Sequence, residues 1–365
     1  MEKTLSLLLI IGLGLIIQSK VKSLDQLKGI KVLILSIALP ATIFAALLNV
    51  KVDPDMLLLP LLGLLVNVVL LVVFYIAFKG FVPIIDDKKR TLLMLMPSLA
   101  PGLSCFPFIA EYLGSDALAM AALADLGNKV FVLILLYLLA MRWYYRSSTT
   151  MSDQKENRLK KLFISLVKEP INLVILAALA LLAFGFNMQG LPSTVSSLVM
   201  RLSAMMGPLV LLFIGMAVKI KKNDLGLILR MLSLRSGLAF LLCSVLMAVI
   251  PNLSSMMMML LLVFAQSSTS FWPYAHISVV NELEVEAKNK TFNSELALSV
   301  LALSLPFSTF VILGVLSFPS IAVSPVYPAT IGVLLVLVFL ISPILYRLKR
   351  LKPMEDQELE VSEAP

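Results

Sequence analysis

LLMLMPSLAPGLSCFPFIAEYL, residues 92–113, and MMMMLLLVFAQSSTSFWPYAHISVV, residues 256–280, are long apolar runs broken in the middle. The first carries Pro97, Pro101 and Pro107; the second carries Pro273 behind five polar residues, Gln266 to Ser270. Proline removes a backbone donor and clashes with the turn before it. Lipid cannot satisfy the groups that are freed, so such a break survives only against protein or a water-filled cavity. Two breaks at corresponding places in two halves of a membrane protein point to a transport site.

The composition agrees with that setting. The chain has 365 residues, of which 59% are hydrophobic and 14% charged. Apolar runs this long and this numerous predict a polytopic α-helical membrane protein. Eleven spans are expected, over 4–19, 32–50, 57–79, 91–113, 117–141, 169–187, 196–218, 226–250, 256–281, 283–316 and 329–346. The tenth is longer than a bilayer needs, so its first turns are expected outside the hydrocarbon. The N-terminus is read as the first span rather than as a cleaved signal. Most of the 30 basic residues fall in loops of one side, which is taken as cytoplasmic, with the N-terminus outside and the C-terminus inside. The formal net charge of +8 is therefore a topology signal, and no nucleic-acid partner is implied.

Two cysteines in apolar runs and a single histidine give no disulfide framework and no metal cluster. The chain carries no HExxH or GxSxG pattern, so no enzyme is expected. No cofactor is implied, although Na⁺ or H⁺ as a coupling ion stays open.

An internal repeat divides the chain. KVLILSIALPATIFAALLNVKV (31–52) lies on VMRLSAMMGPLVLLFIGMAVKI (199–220) with Pro40 on Pro208; with a shift of two residues, Pro107 falls on Pro273. The expected organisation is a first five-helix repeat over 1–141, a cytoplasmic linker over 142–168 and a second repeat over 169–316. An eleventh helix (317–346) and a cytoplasmic tail (347–365) follow. Five spans is an odd number, so the second half is inverted relative to the first.

Ordered short matches then suggest a family. LPATIFAALL (39–48), GLSCFP (102–107), LGSDALAMAALADLGN (113–128), EPINLVILAALALLAFGFNMQGLP (169–192), MMGPLVLLFIGMAV (205–218) and the Pro273 segment occur in the order found there. Over residues 4–316 the chain resembles the auxin efflux carrier family of the bile/arsenite/riboflavin transporter superfamily. The resemblance implies a 5+5 inverted-repeat transporter fold in which helices four and nine cross at their breaks. It also implies elevator-type movement against helices one, two, six and seven, a homodimer in the plasma membrane, and transport of a small organic anion, with efflux favoured. Cys105 stands where the family has a crossover glycine, and Pro101 where it often has asparagine.

The candidate site residues follow from depth and chemistry. Gly102, Ser104, Cys105 and Pro107 at the first break, and Gln266, Ser268, Thr269, Ser270 and Pro273 at the second, offer free carbonyls, helix N-termini and hydroxyls. Their plain reading is a kink with hydroxyls bonded back to the helix. Asp125, Asn128 and Lys129 lie 8–12 residues into helix five, roughly 12–18 Å deep at about 1.5 Å per residue. Charges there are costly and count as site candidates, or as a closed structural pair. Ser294 and Glu295 fall on Asn128 and Lys129 in the repeat, which predicts a possible Lys129–Glu295 contact; a later start of helix ten would leave Glu295 an interfacial charge. His276 is read as a packing histidine more than a proton carrier. A Na⁺-coupled bile-acid-type symporter and a non-transporting sensor of the same fold are the alternatives to a secondary carrier.

Overall fold

The computed structural model describes residues 2–20, 24–49, 58–80, 86–147, 170–217, 225–284 and 290–340, and every element among them is helical. Most of the central linker, the acidic tail and the ends of the 31–52/199–220 match lie outside the described residues.

The first span is α1 (Glu2–Gln18). The second is α2 (Leu24–Leu33), a π-helical turn over Ile34–Ala38, and α3 (Leu39–Asn49). The widened turn precedes Pro40, and it lets the helix continue past a residue without an N–H. Thr42 Oγ1 donates to the Ala38 carbonyl at 2.7 Å. Then come α4 (Leu59–Gly80) and the fourth span in three pieces, α5 (Asp86–Leu95), α6 (Pro101–Ser104) and α7 (Phe106–Tyr112). Next is α8 (Gly114–Val130), which passes through a π-helical turn over Phe131–Leu135 into α9 (Leu136–Ser147).

Past the linker are α10 (Pro170–Ala183), α11 (Ser193–Ala204), α12 (Met206–Ala217) and α13 (Leu225–Val249). The ninth span is α14 (Ser255–Ala265), an unwound stretch, and α15 (Trp272–Leu283). The chain closes with α16 (Ser294–Ser317), the short α17 (Pro319–Ala322) and α18 (Val326–Leu340).

Among the described residues, six helical stretches are long and apolar enough to cross a membrane: Gly29–Asn49, Leu59–Lys79, Gly114–Arg146, Ser193–Met216, Leu225–Val249 and Ser294–Ser317. The first, sixth and eleventh expected spans are present as shorter apolar helices, Leu5–Gln18, Ile171–Ala183 and Val326–Leu340. The fourth and ninth are interrupted where the prolines predict. The tenth begins at Ser294, not near 283, because Asn293 caps it there: its side-chain oxygen accepts from Leu296 N at 2.9 Å.

Without a hydrophobic force between helices in lipid, close packing depends on small residues that let backbones approach. Two helix pairs show the tightest approaches. A Cβ on Gly14 of α1 would stand 2.4 Å from the Leu212 carbonyl oxygen of α12, and one on Gly215 would stand 2.2 Å from that of Ile11. On α4 and α8, a Cβ on Gly63 would meet the Ala124 oxygen at 2.2 Å, and one on Gly127 the Pro60 oxygen at 1.7 Å. The second pair fixes the depth of the polar residues that follow Gly127.

The buried apolar residues form two clusters, and several helices pass from one to the other through polar residues. On α13, Ile228 to Leu234 belong to one cluster and Ala239 to Met247 to the other, with Arg235 and Ser236 between. On α8 and its continuation, Asp125 to Lys129 separate Leu123 from Phe131. The two breaks sit at the same join, and Asn67 of α4 and Ser304 of α16 are buried at theirs. A polar layer thus lies between two apolar ones.

These contacts predict opposite signs for two alanines. Gly127→Ala is expected to lower stability by about 1–3 kcal/mol through overpacking. Gly12→Ala, whose Cβ would have nothing within 4 Å, is expected to be neutral or stabilising by up to about 1 kcal/mol. Thermal unfolding of the detergent-purified variants checks both.

Candidate functional site

The two breaks are tied to each other. Ala100 N donates to the Ser268 carbonyl at 2.8 Å, Ser268 N to Ser104 Oγ at 2.9 Å, and Ser270 N to Ser98 Oγ at 3.0 Å. The hydroxyls in turn donate back to their own chain: Ser98 to the Leu95 carbonyl, Ser104 to Ala100, and Ser267 to Phe264. Each hydroxyl of the first break therefore serves twice, as donor to its own helix and as acceptor from the opposite break. The back-bonding half of this pattern is the plain kink reading; the other half ties the two breaks together.

Arg235 of α13 reaches both breaks. It is 1% exposed, and its guanidinium donates to three main-chain carbonyls: Nε to Met96 at 2.9 Å, and Nη2 to Ser98 at 3.2 Å and to Ser267 at 2.5 Å. Next to it, Ser236 Oγ donates to Gln266 Oε1 at 2.6 Å, and Gln266 Nε2 donates to the Ser236 carbonyl at 3.1 Å. Thr269 Oγ1 donates to Ser304 Oγ at 2.8 Å, which ties the second break to α16. Gln266 and Thr269 thus hold the fold of the break. Ser267 belongs to the polar run marked from the sequence, whereas Arg235, Ser98 and Ser304 were not among the candidate site residues read there.

Asn128 is the hub on α8. Its Nδ2 donates to the Leu99 carbonyl at 3.0 Å and to Asp125 Oδ1 at 2.8 Å, and its Oδ1 accepts from Asn67 Nδ2 at 3.2 Å. Lys129 Nζ lies 3.5 Å from Asp125 Oδ2 and donates to Asn172 Oδ1 of α10 at 2.9 Å. Asp125, Asn128, Lys129 and Asn172 are all buried. Asn67 and Asn172 are further partners that sequence reading did not name, although each is a lone amide in an apolar run.

A cleft of about 130 Å³ opens beside this hub. Of the predicted residues, Gly102, Asp125, Asn128, Lys129 and Ser270 line it, together with Lys31, Phe271 and Trp272. Lys31 Nζ stands 4.9 Å from the centre of the Phe271 ring. The rest of the lining is apolar, including Leu35, Leu99 and Ile171. A Cβ on Gly102 would come within 3.0 Å of Leu39 Cδ2, so its bare backbone keeps the wall of the cleft close to α3.

Other predicted residues are not part of the cleft wall. Ser104, Cys105, Gln266, Ser268 and Thr269 are buried behind it. Pro107 and Pro273 occupy the first turns of α7 and α15, where a missing N–H costs nothing. Ser294 and Glu295 require a correction. They sit in the first turn of α16, where Ser294 Oγ accepts a hydrogen bond from Asn281 and Glu295 is exposed. Lys129 has Asp125 and Asn172 as partners, and the anticipated Lys129–Glu295 contact is not formed. His276 is a packing residue, with Nε2 2.9 Å from the Val132 carbonyl and its ring edge-on to Tyr137.

Asn128→Ala removes donors from both the Leu99 carbonyl and Asp125, and buried acceptors left without partners cost about 1–3 kcal/mol each. A clear fall in melting temperature is expected. An unchanged one would mean that the first break does not depend on Asn128.

No protein-family model matches the chain, and no curated protein matches it.

Proposed function

We propose that the chain is a secondary membrane carrier for a small organic anion, working by alternating access around the joined breaks. The observation that carries this reading is the cleft itself. Set against buried apolar residues, it brings together Lys31, Lys129, Asn128 and the stretch leading into α15, Ser270 to Trp272. A helix N-terminus and ammonium groups favour negative charge, and intramembrane ionisable residues belong to substrate or ion pathways more often than to lipid-facing surface. The apolar wall suits a carboxylate with a compact hydrocarbon body.

The finer architecture belongs to the same proposal. Five helices and five inverted helices, with spans four and nine crossing at their breaks, would give each break one symmetry mate, in keeping with the reciprocal hydrogen bonds between residues 98–104 and 268–270. Kinship with auxin efflux carriers, elevator-type movement, dimerisation through spans one, two, six and seven, and a plasma-membrane setting with cytoplasmic C-terminus rest on the ordered motifs and loop charges.

Reconstitution tests it. Proteoliposomes bearing the wild type are expected to accumulate or exchange radiolabelled small carboxylates down a gradient; no flux across a broad panel of organic acids would favour a sensor. Lys129→Ala strands a buried carboxylate, and breaking such a pair costs about 3–5 kcal/mol of stability. The informative variant is therefore the double change Asp125→Asn with Lys129→Met, which removes both charges together. It is expected to remain folded and to lose roughly ten- to a hundred-fold in apparent affinity, the equivalent of about 1.5–3 kcal/mol for a charged hydrogen bond. Normal affinity in the double variant would make the pair structural and leave Lys31 as the cation to test.

A further inference from the structure

Half-helices that end inside a membrane leave carbonyls pointing at one another, and such carbonyls are what a bare cation takes in place of water. Here α5 ends at Leu95 and α14 at Ala265. The oxygens just past those ends, Met96, Ser98 and Ser267, converge on one point from two separate spans. Both half-helix dipoles direct their negative ends at it. The point is filled by the Arg235 guanidinium, carried on a third span. Lys129 lies beside the Asp125 carboxylate, whereas the Arg235 guanidinium meets three main-chain oxygens. Its charge is balanced by main-chain dipoles.

We propose that Arg235 is a tethered cation occupying what is otherwise a monovalent-cation site at the junction of the two breaks. A planar, permanently charged fork suits three carbonyls spread over two spans better than an ammonium would. Because the cation is covalently part of α13, it neither leaves nor needs a Na⁺ gradient to stay. The two breaks are consequently held in register whether or not substrate is present, and this junction runs without Na⁺. The proposal stands on the carbonyl geometry and does not require the carrier reading.

Its test uses the purified full-length chain in detergent, read by thermal unfolding. The wild type is expected to melt at the same temperature in sodium chloride and in choline chloride. Arg235→Ala empties the carbonyl cluster, so its melting temperature is expected to fall by several degrees. Millimolar guanidinium should restore at least half of the loss, whereas equal tetramethylammonium or urea should restore none. Na⁺ is expected to stabilise this variant although it does not stabilise the wild type. Should Arg235→Ala not fold, Arg235→Gln, which keeps two donors and no charge, is put through the same series with the same expected recovery. A wild type stabilised by Na⁺ over choline would overturn the proposal, and so would a folded variant indifferent to guanidinium, since a merely space-filling arginine predicts no recovery by its own head group.

Discussion

An unwound stretch inside a bilayer must find partners for its own main chain, and this protein meets that constraint by making each break the partner of the other. Ala100, Ser268 and Ser270 each give their N–H to the opposite stretch. Neither break is satisfied alone, because every unpaired group would cost as much as a lost hydrogen bond in a medium that offers no water. Arg235 closes the remaining account by taking three carbonyls that no N–H reaches. Separating one break from the other would expose several groups at once, so the two breaks and α13 form one joined unit.

That arrangement explains the layering. Apolar clusters lie on both sides of the breaks, and helices that cross between them change from apolar to polar and back within a few residues. On α4 the polar contribution is a single amide, Asn67, held under Asn128. On α8 it is three polar residues within little more than one turn, Asp125, Asn128 and Lys129. The glycine contact of Gly127 with Pro60 brings α4 and α8 close enough for those amides to meet, so a packing feature chosen for size also sets the register of a polar network.

Much of this was legible in the residues because the decisive signals are local. Proline acts on its own turn, so the interruptions at 97–107 and 273 could be placed to within a few residues. Charge deep in an apolar run is costly wherever it points, so Asp125, Asn128 and Lys129 stood out by position alone. What was not legible depended on partners distant in the chain. Arg235 lies 137 residues from Ser98 and 32 from Ser267, and nothing on α13 itself distinguishes an arginine that pins two breaks from one that snorkels. Asn172 is similar: it sits 43 residues from the lysine it accepts from. Glu295 failed for a different reason. The repeat alignment carried it to the level of Lys129, but Asn293-Ser294-Glu295 is a helix start, with a capping amide and an acidic first turn. Local capping chemistry outranked the symmetry argument.

The charges of the polar layer are balanced in three different ways, and the difference bears on which of them can answer to a ligand. Arg235 is balanced by fixed main-chain oxygens that belong to the fold, so its field is part of the scaffold. Lys129 is balanced by a carboxylate four residues away on the same helix, so the pair contributes little net charge until one member is drawn aside. Lys31 rests on the face of Phe271, an attraction of about 0.5–2 kcal/mol, which is weaker than an ion pair in the same surroundings. A carboxylate entering the cleft would therefore recruit Lys31 first and compete with Asp125 for Lys129 second, while Arg235 kept both walls in place.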